Sequence, residues 1–163
     1  MSERGKPLPR ISAEARPYWN ACREGELRYQ ACRGCGRVQF YPRALCAGCG
    51  GTDLEWRRSA GSGVVHAVTV VYRAPSEPFR ADVPYAVALV DLDEGFRMMA
   101  NVVGGDPERV AIGDRVRVLF ETRGDVALPQ FTPRDAPRGV PPSLGREPAP
   151  VRGQARVDRG QAQ

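Results

Sequence analysis

The spacing of apolar positions changes character near residue 54. Upstream, Pro17-Tyr18-Trp19-Asn20-Ala21-Cys22-Arg23-Glu24-Gly25 puts Tyr18 and Cys22 at i and i+4, and Trp19 and Cys22 at i and i+3. With Pro17 suited to a first turn and Gly25 to a stop, this predicts a short helix. Ser12 offers a cap for an earlier start, which Pro17 would strain. Downstream the pattern is that of strands. Residues 63–72 form a long β-branched run. Residues 83–92 and 96–103 flank Asp93-Glu94-Gly95 and read as a hairpin. Residues 107–110 predict a helical turn. Residues 112–121 alternate, with Val116, Val118 and Phe120 opposite Arg115, Arg117 and Glu121. Residues 127–131 close the series. Five short strands with a late helical turn predict a small closed barrel of the OB-fold type.

This pattern divides the chain into residues 12–58 (helix and a cysteine-rich module), 59–134 (barrel) and 135–163. The last segment is rich in Pro, Gly, Arg and Gln and lacks apolar periodicity. It is expected to be a disordered, solvated tail, because it cannot bury enough surface to offset ordering entropy. Residues 1–11 are expected to form a loose leader.

The formal charge of +5 points to nucleic acid until it is apportioned. Residues 11–133 carry fifteen Arg and fifteen carboxylates, so the excess sits at the two ends. Lys6 is the only lysine. A basic binding face is therefore not supported, although zinc ribbons and OB-folds both occur in nucleic-acid-binding proteins, and that function is the rival reading. No run reaches the roughly 18 apolar residues of a membrane-spanning helix. The polar N-terminus, without an apolar segment, leads us to expect a cytoplasmic protein.

Four cysteines stand as Cys32-Arg33-Gly34-Cys35 and Cys46-Ala47-Gly48-Cys49. A CxxC turn sets two sulfurs on one side of a tight loop, and Gly36 and Gly50 after each pair permit the bend. Two such knuckles joined by a short strand pair around Val38–Tyr41 predict a four-cysteine zinc ribbon holding one structural ion. A rubredoxin-like iron site uses the same donors. Two disulfides would require an oxidising compartment, and a redox CxxC would normally occur singly near a βαβ unit. A module this small needs the metal to fold.

The remaining chemistry-bearing residues have plainer readings. Cys22 is expected to be a buried small apolar residue, and the single histidine, His66, to pack in the barrel or at an interface. A Cys22–His66 dyad is compatible with the sequence, but nothing in it brings the two together. Asp91, Asp93 and Glu94 look like half a cation site, yet they flank Gly95, where polar turn residues are expected. Arg73, Arg80 and Arg97 are candidate phosphate contacts whose ordinary role is solvated surface. Neither Gly104-Gly105 nor Gly61-Ser62-Gly63 continues as a phosphate loop. Tyr18, Trp19, Phe40, Tyr41 and Trp56 cluster near the metal module. They serve either a protein interface or the packing of helix, ribbon and barrel.

The order of these motifs carries a resemblance. The helix with Pro17-Tyr18-Trp19 leads into Gly25-Glu26-Leu27-Arg28-Tyr29 and the two knuckles. Leu54-Glu55-Trp56, Pro84-Tyr85, Asp93-Glu94-Gly95, Ile112-Gly113-Asp114 and Leu128-Pro129-Gln130-Phe131 follow. Over about residues 12–134 the chain resembles the rubredoxin-like zinc-ribbon plus OB-fold family associated with acyl-CoA enzymes, long filed as a domain of unknown function. Members accompany thiolase-fold enzymes: archaeal thiolases and hydroxymethylglutaryl-CoA synthases, acyltransferases of phloroglucinol synthesis, and aldolases of bacterial steroid side-chain degradation. The resemblance implies a non-catalytic accessory subunit that scaffolds such a partner and helps position its acyl-CoA thioester. It also implies zinc on Cys32, Cys35, Cys46 and Cys49, and no catalytic residue of its own.

Overall fold

The computed structural model describes residues 5–134, so the predicted tail lies outside the described residues. Helix α1 (Arg16–Arg23) buries Tyr18, Ala21 and Cys22 on one face. It stops at Gly25, whose φ of 77° is the left-handed conformation that glycine takes without a Cβ penalty. The Gly25 N–H donates to Cys22 O and the Glu26 N–H to Ala21 O, at 3.1 and 2.8 Å, satisfying the last carbonyls in a Schellman arrangement.

Strands β1 (Arg28–Cys32), β2 (Val38–Gln39) and β3 (Leu54–Arg58) form an antiparallel sheet in the order β2-β1-β3. The third strand was not expected from the pattern. Its Leu-Glu-Trp-Arg-Arg sequence shows little apolar alternation, and the strand is held by its pairing with β1. Strands β4 (Ser62–Val71), β5 (Tyr85–Leu92), β6 (Arg97–Val102), β7 (Arg115–Arg123) and β8 (Val126–Pro133) close a barrel in the order β4-β5-β6-β8-β7. The β6–β8 contact is parallel and all other pairs are antiparallel, which is the predicted OB-like arrangement. Along β5 every second residue (Ala86, Ala88, Val90, Leu92) is buried, the period-two pattern of a strand with one face on the core. A 3-10 turn over Glu77–Asp82, between β4 and β5, was not foreseen.

Of the two roles open to the aromatic residues, the structure shows packing for all but one of them. Tyr18 packs edge-on to Phe40, Phe40 stacks on Phe96, and Phe96 stacks on Tyr29, with centroids 5.5, 5.5 and 5.0 Å apart. This file of rings joins α1, the ribbon and the β5–β6 hairpin in one core, and Tyr41 alone of the five ribbon aromatics is strongly exposed. For His66 the expectation of packing in the barrel is corrected. His66 lies on the outer face of the barrel, one position past the buried Gly63 and Val65 in the strand's alternation and beside a β-bulge between Val65 and Ala67. The leader also departs from expectation: Lys6 pairs with Asp82 at 2.7 Å and so ties the segment to the barrel. Among the described residues no helix is long and apolar enough to cross a membrane.

Candidate metal centre

β1 ends on Cys32, and the chain reverses through a turn in which Gly36 N–H donates to Cys32 O at 2.8 Å and Cys32 N–H to Arg37 O at 2.9 Å. The second knuckle repeats this: Gly50 N–H donates to Cys46 O at 2.9 Å and Cys46 N–H to Gly51 O at 2.8 Å. Gly36 and Gly50 share a φ of 74°. Two matching backbone turns therefore present two pairs of sulfurs to each other.

The four Sγ atoms of Cys32, Cys35, Cys46 and Cys49 lie within 4.8 Å of one another. The Cys32–Cys49 and Cys35–Cys46 separations are both 3.6 Å. A tetrahedral ion with metal–sulfur bonds of about 2.3 Å spaces its sulfurs about 3.8 Å apart. The thiols are unbridged, and their spacing matches a single four-sulfur ion rather than two disulfides. The peptide dipoles favour thiolate. N–H groups of Cys49 and Gly48 pointing at Cys46 lower that thiol to about 6. At Cys35 the Arg37 N–H acts in the same direction, but hydrogen bonding with the neighbouring thiols prevails and raises it to about 12.

Two residues that hold the knuckles together were missed in the sequence. Gln30 and Gln39 face each other across β1 and β2 and are both buried. Gln39 Nε2 donates to Gln30 Oε1 at 3.0 Å, while Gln30 bonds both backbone groups of Arg43. Gln39 also accepts from Ala47 N–H at 2.8 Å and donates to Leu45 O. The pair thus fixes the 43–47 loop that delivers the second knuckle. The only available signal was polar residues on short strands where apolar ones would be expected. Across the site, the Arg37 side chain lies over Gly48, where a Cβ would stand 2.7 Å from Arg37 Cδ.

The other candidates are not brought together. Cys22 is fully buried, and burial pushes its thiol up to about 11, with a bond to Tyr18 acting in the opposite sense. His66 is exposed on the far side of the barrel wall, its Nδ1 lying 2.9 Å from Arg97 Nη2 and 3.1 Å from Asp91 Oδ2. Asp91 is paired with Arg97, Asp93 with Arg115, and Glu94 accepts from Ser59 Oγ and Ala60 N–H. These carboxylates form a hairpin tip and its ion pairs, as the turn reading expected. Arg80 pairs with Glu77.

Comparison with known proteins follows the same division. Family models match residues 19–55 (the ChsH2 rubredoxin-like zinc ribbon domain) and residues 56–121 (the ChsH2 C-terminal OB-fold domain). A DUF35 domain-containing scaffold protein of Pyrococcus furiosus is 32% identical over 118 residues, covering 71% of this chain and 80% of that protein. The chain belongs to the DUF35 family of ChsH2-type zinc-ribbon and OB-fold proteins. A chain of the solved Ltp2-ChsH2(DUF35) aldolase is similar at a TM-score of 0.69 and 33% identity, over 77% of this chain and 98% of that one. A probable enoyl-CoA hydratase alpha subunit of Thermomonospora curvata is 33% identical over 129 residues, which is 78% of this chain. The match spans only 40% of that hydratase subunit's length.

Proposed function

We propose that this DUF35 protein is a non-catalytic accessory subunit of a thiolase-like acyl-CoA enzyme, which it scaffolds and whose thioester it helps to position. The observation that carries the reading is the similarity to a chain of an aldolase complex, over nearly the whole length of that chain. The scaffold name of the Pyrococcus relative points the same way. In this reading Cys32, Cys35, Cys46 and Cys49 bind one zinc ion, residues 12–58 act as the ribbon unit and residues 59–134 as the barrel unit. Four thiolates fill a tetrahedral shell and leave no position for substrate, so the ion serves the fold. The hydratase activity named for the Thermomonospora subunit stays with that longer protein. The ion pairs that occupy Arg28, Arg33, Arg97, Arg115 and Arg123 weigh against the rival nucleic-acid reading, because each pair neutralises a cation a phosphate would need.

The test is native affinity capture of the protein from its own cells after nuclease treatment, with mass spectrometry of what is retained. A thiolase-fold enzyme at near-stoichiometric yield is the expected result. Recovery of nuclease-sensitive RNA-binding proteins alone would replace this reading with the rival one. Metal analysis of the purified chain is expected to give one zinc per chain and no iron absorbance.

A further inference from the structure

The two knuckles share one turn but are held in different ways. The first lies between β1 and β2, and the sheet frames it, with Ala31 paired to Val38 and Cys32 to Leu54. The second lies in the link between β2 and β3, outside the sheet. Among the described residues, 40–51 form main-chain hydrogen bonds only within the knuckle itself, from Cys46 N–H to Gly51 O and from Gly50 N–H to Cys46 O. Ala47, Gly48, Cys49 and Gly50 are exposed.

Two buried amides take the place of the missing strand pairing. Gln30 accepts from Arg43 N–H and donates to Arg43 O, both at 3.0 Å. Gln39 donates to Leu45 O at 3.3 Å and accepts from Ala47 N–H at 2.8 Å. These bonds reach the main chain on both sides of Cys46, and a further one joins the two side chains. A buried amide without partners is costly, so the pair is satisfied only while the link is docked on it. Arg37 adds a packing contact over Gly48.

An ion held by four sulfurs must shed some of them before it can leave. Swinging Cys32 and Cys35 away would disrupt the pairing of β1, whereas swinging Cys46 and Cys49 away breaks only bonds from side chains. We propose that the metal centre opens at its second knuckle and that the Gln30–Gln39 pair is the latch that sets the rate of metal release. This rests on the assignment of Cys32, Cys35, Cys46 and Cys49 to one ion. The glutamines are positioning residues, which act through the main chain around Cys46.

The test uses the full chain loaded with zinc, with transfer of the ion to a chromogenic chelator followed by absorbance. Gln39→Leu, which frees Leu45 and Ala47, should release zinc about tenfold faster than wild type. Gln30→Leu keeps the bond to Ala47 and should fall between the two. Gly63→Ala, a crowded position in the barrel, should stay within about twofold of wild type, because it leaves the latch intact. The cobalt(II) spectra of wild type and Gln39→Leu should coincide at saturation, since the four sulfurs are unchanged. In the zinc-loaded wild-type chain the first N-ethylmaleimide adduct should fall in tryptic peptide 44–57, which holds Cys46 and Cys49, and not in 29–33 or 34–37. Equal release by Gln39→Leu and wild type, equal acceleration by Gly63→Ala, or a first adduct on Cys35 overturns the proposal. If Gln39→Leu fails to fold, Gln30→Leu and the adduct map of the wild-type chain decide. A wild-type chain that takes up neither zinc nor cobalt would remove the metal assignment itself and the latch with it. A loaded wild type matched by its glutamine variants removes the latch alone.

Discussion

At Gly63 a Cβ would stand 2.5 Å from the Asp91 carbonyl oxygen and 2.8 Å from Val90 Cγ1, where β4 crosses β5. Backbone cannot step aside as a flexible side chain can, so Gly63→Ala should cost about 2–4 kcal/mol in urea unfolding. Gly105 meets nothing within 4 Å, and Gly105→Ala should lie within about 0.5 kcal/mol of wild type. If the two variants were equally stable, the close approach of β4 to β5 would be wrong. The cysteines obey a harsher rule. Cys32→Ala or Cys46→Ala removes one of the four sulfurs that converge on a single point. Either variant should lose metal binding and the protection of the β1–β3 amides. One equivalent of zinc retained in either would contradict the ligand assignment.

Among elements, the join between ribbon and barrel is the consequential one, and it runs through Phe96. That residue ends the hairpin turn after Gly95, is 5% exposed, and stacks on both Tyr29 and Phe40. Phe96→Ala should therefore cost about 3–5 kcal/mol and loosen the ribbon from the barrel, measured as lost amide protection in β1. The same hairpin carries the Asp91–Arg97 pair. The Arg97 hydrogen bond, assisted by its charge, holds the Asp91 carboxyl below its ordinary range. A depressed carboxylate contributes stability above its unfolded pKa of about 3.9, and the contribution disappears as pH falls through the folded value. Asp91→Asn should then be less stable than wild type by under about 1 kcal/mol at neutral pH, since Asp91 is 46% exposed. The gap should close in acid; a constant gap down to about pH 2 would mean that the pair contributes nothing. The barrel strands and both knuckles were legible because period-two alternation and paired CxxC spacing are local signals. What was not legible depends on contacts between distant segments. The Gln30–Gln39 staple needs strand register, and the leader's attachment needs a loop 76 residues away to meet a single lysine.

At the scale of the whole molecule, the metal and the barrel core stabilise different parts of one chain. The ribbon contributes Leu27, Tyr29 and Ala31, with Val38, Phe40 and Trp56 packed against them, to a core whose other residues come from α1 and the barrel. Its own sheet has only short strands, the shortest of two residues, too little apolar surface to stay folded without cross-linking. The barrel is closed, so it has no sheet edge that the ribbon must protect. Stripping the metal should then produce a partly folded molecule rather than an unfolded one. With a strong chelator at neutral pH, amides of β1–β3 should exchange freely while those of β5 and β7 stay protected. The thermal midpoint of the barrel should fall as well, because Tyr29 and Leu27 leave the core with the ribbon. Acidification should reproduce this order, since protons compete with the ion for the sulfurs. A single cooperative loss of all strands on chelation would show instead that the aromatic file through Tyr29, Phe96 and Phe40 makes the two parts one folding unit. In that case Phe96→Ala should restore two separate transitions, a result that can be read from the same exchange experiment.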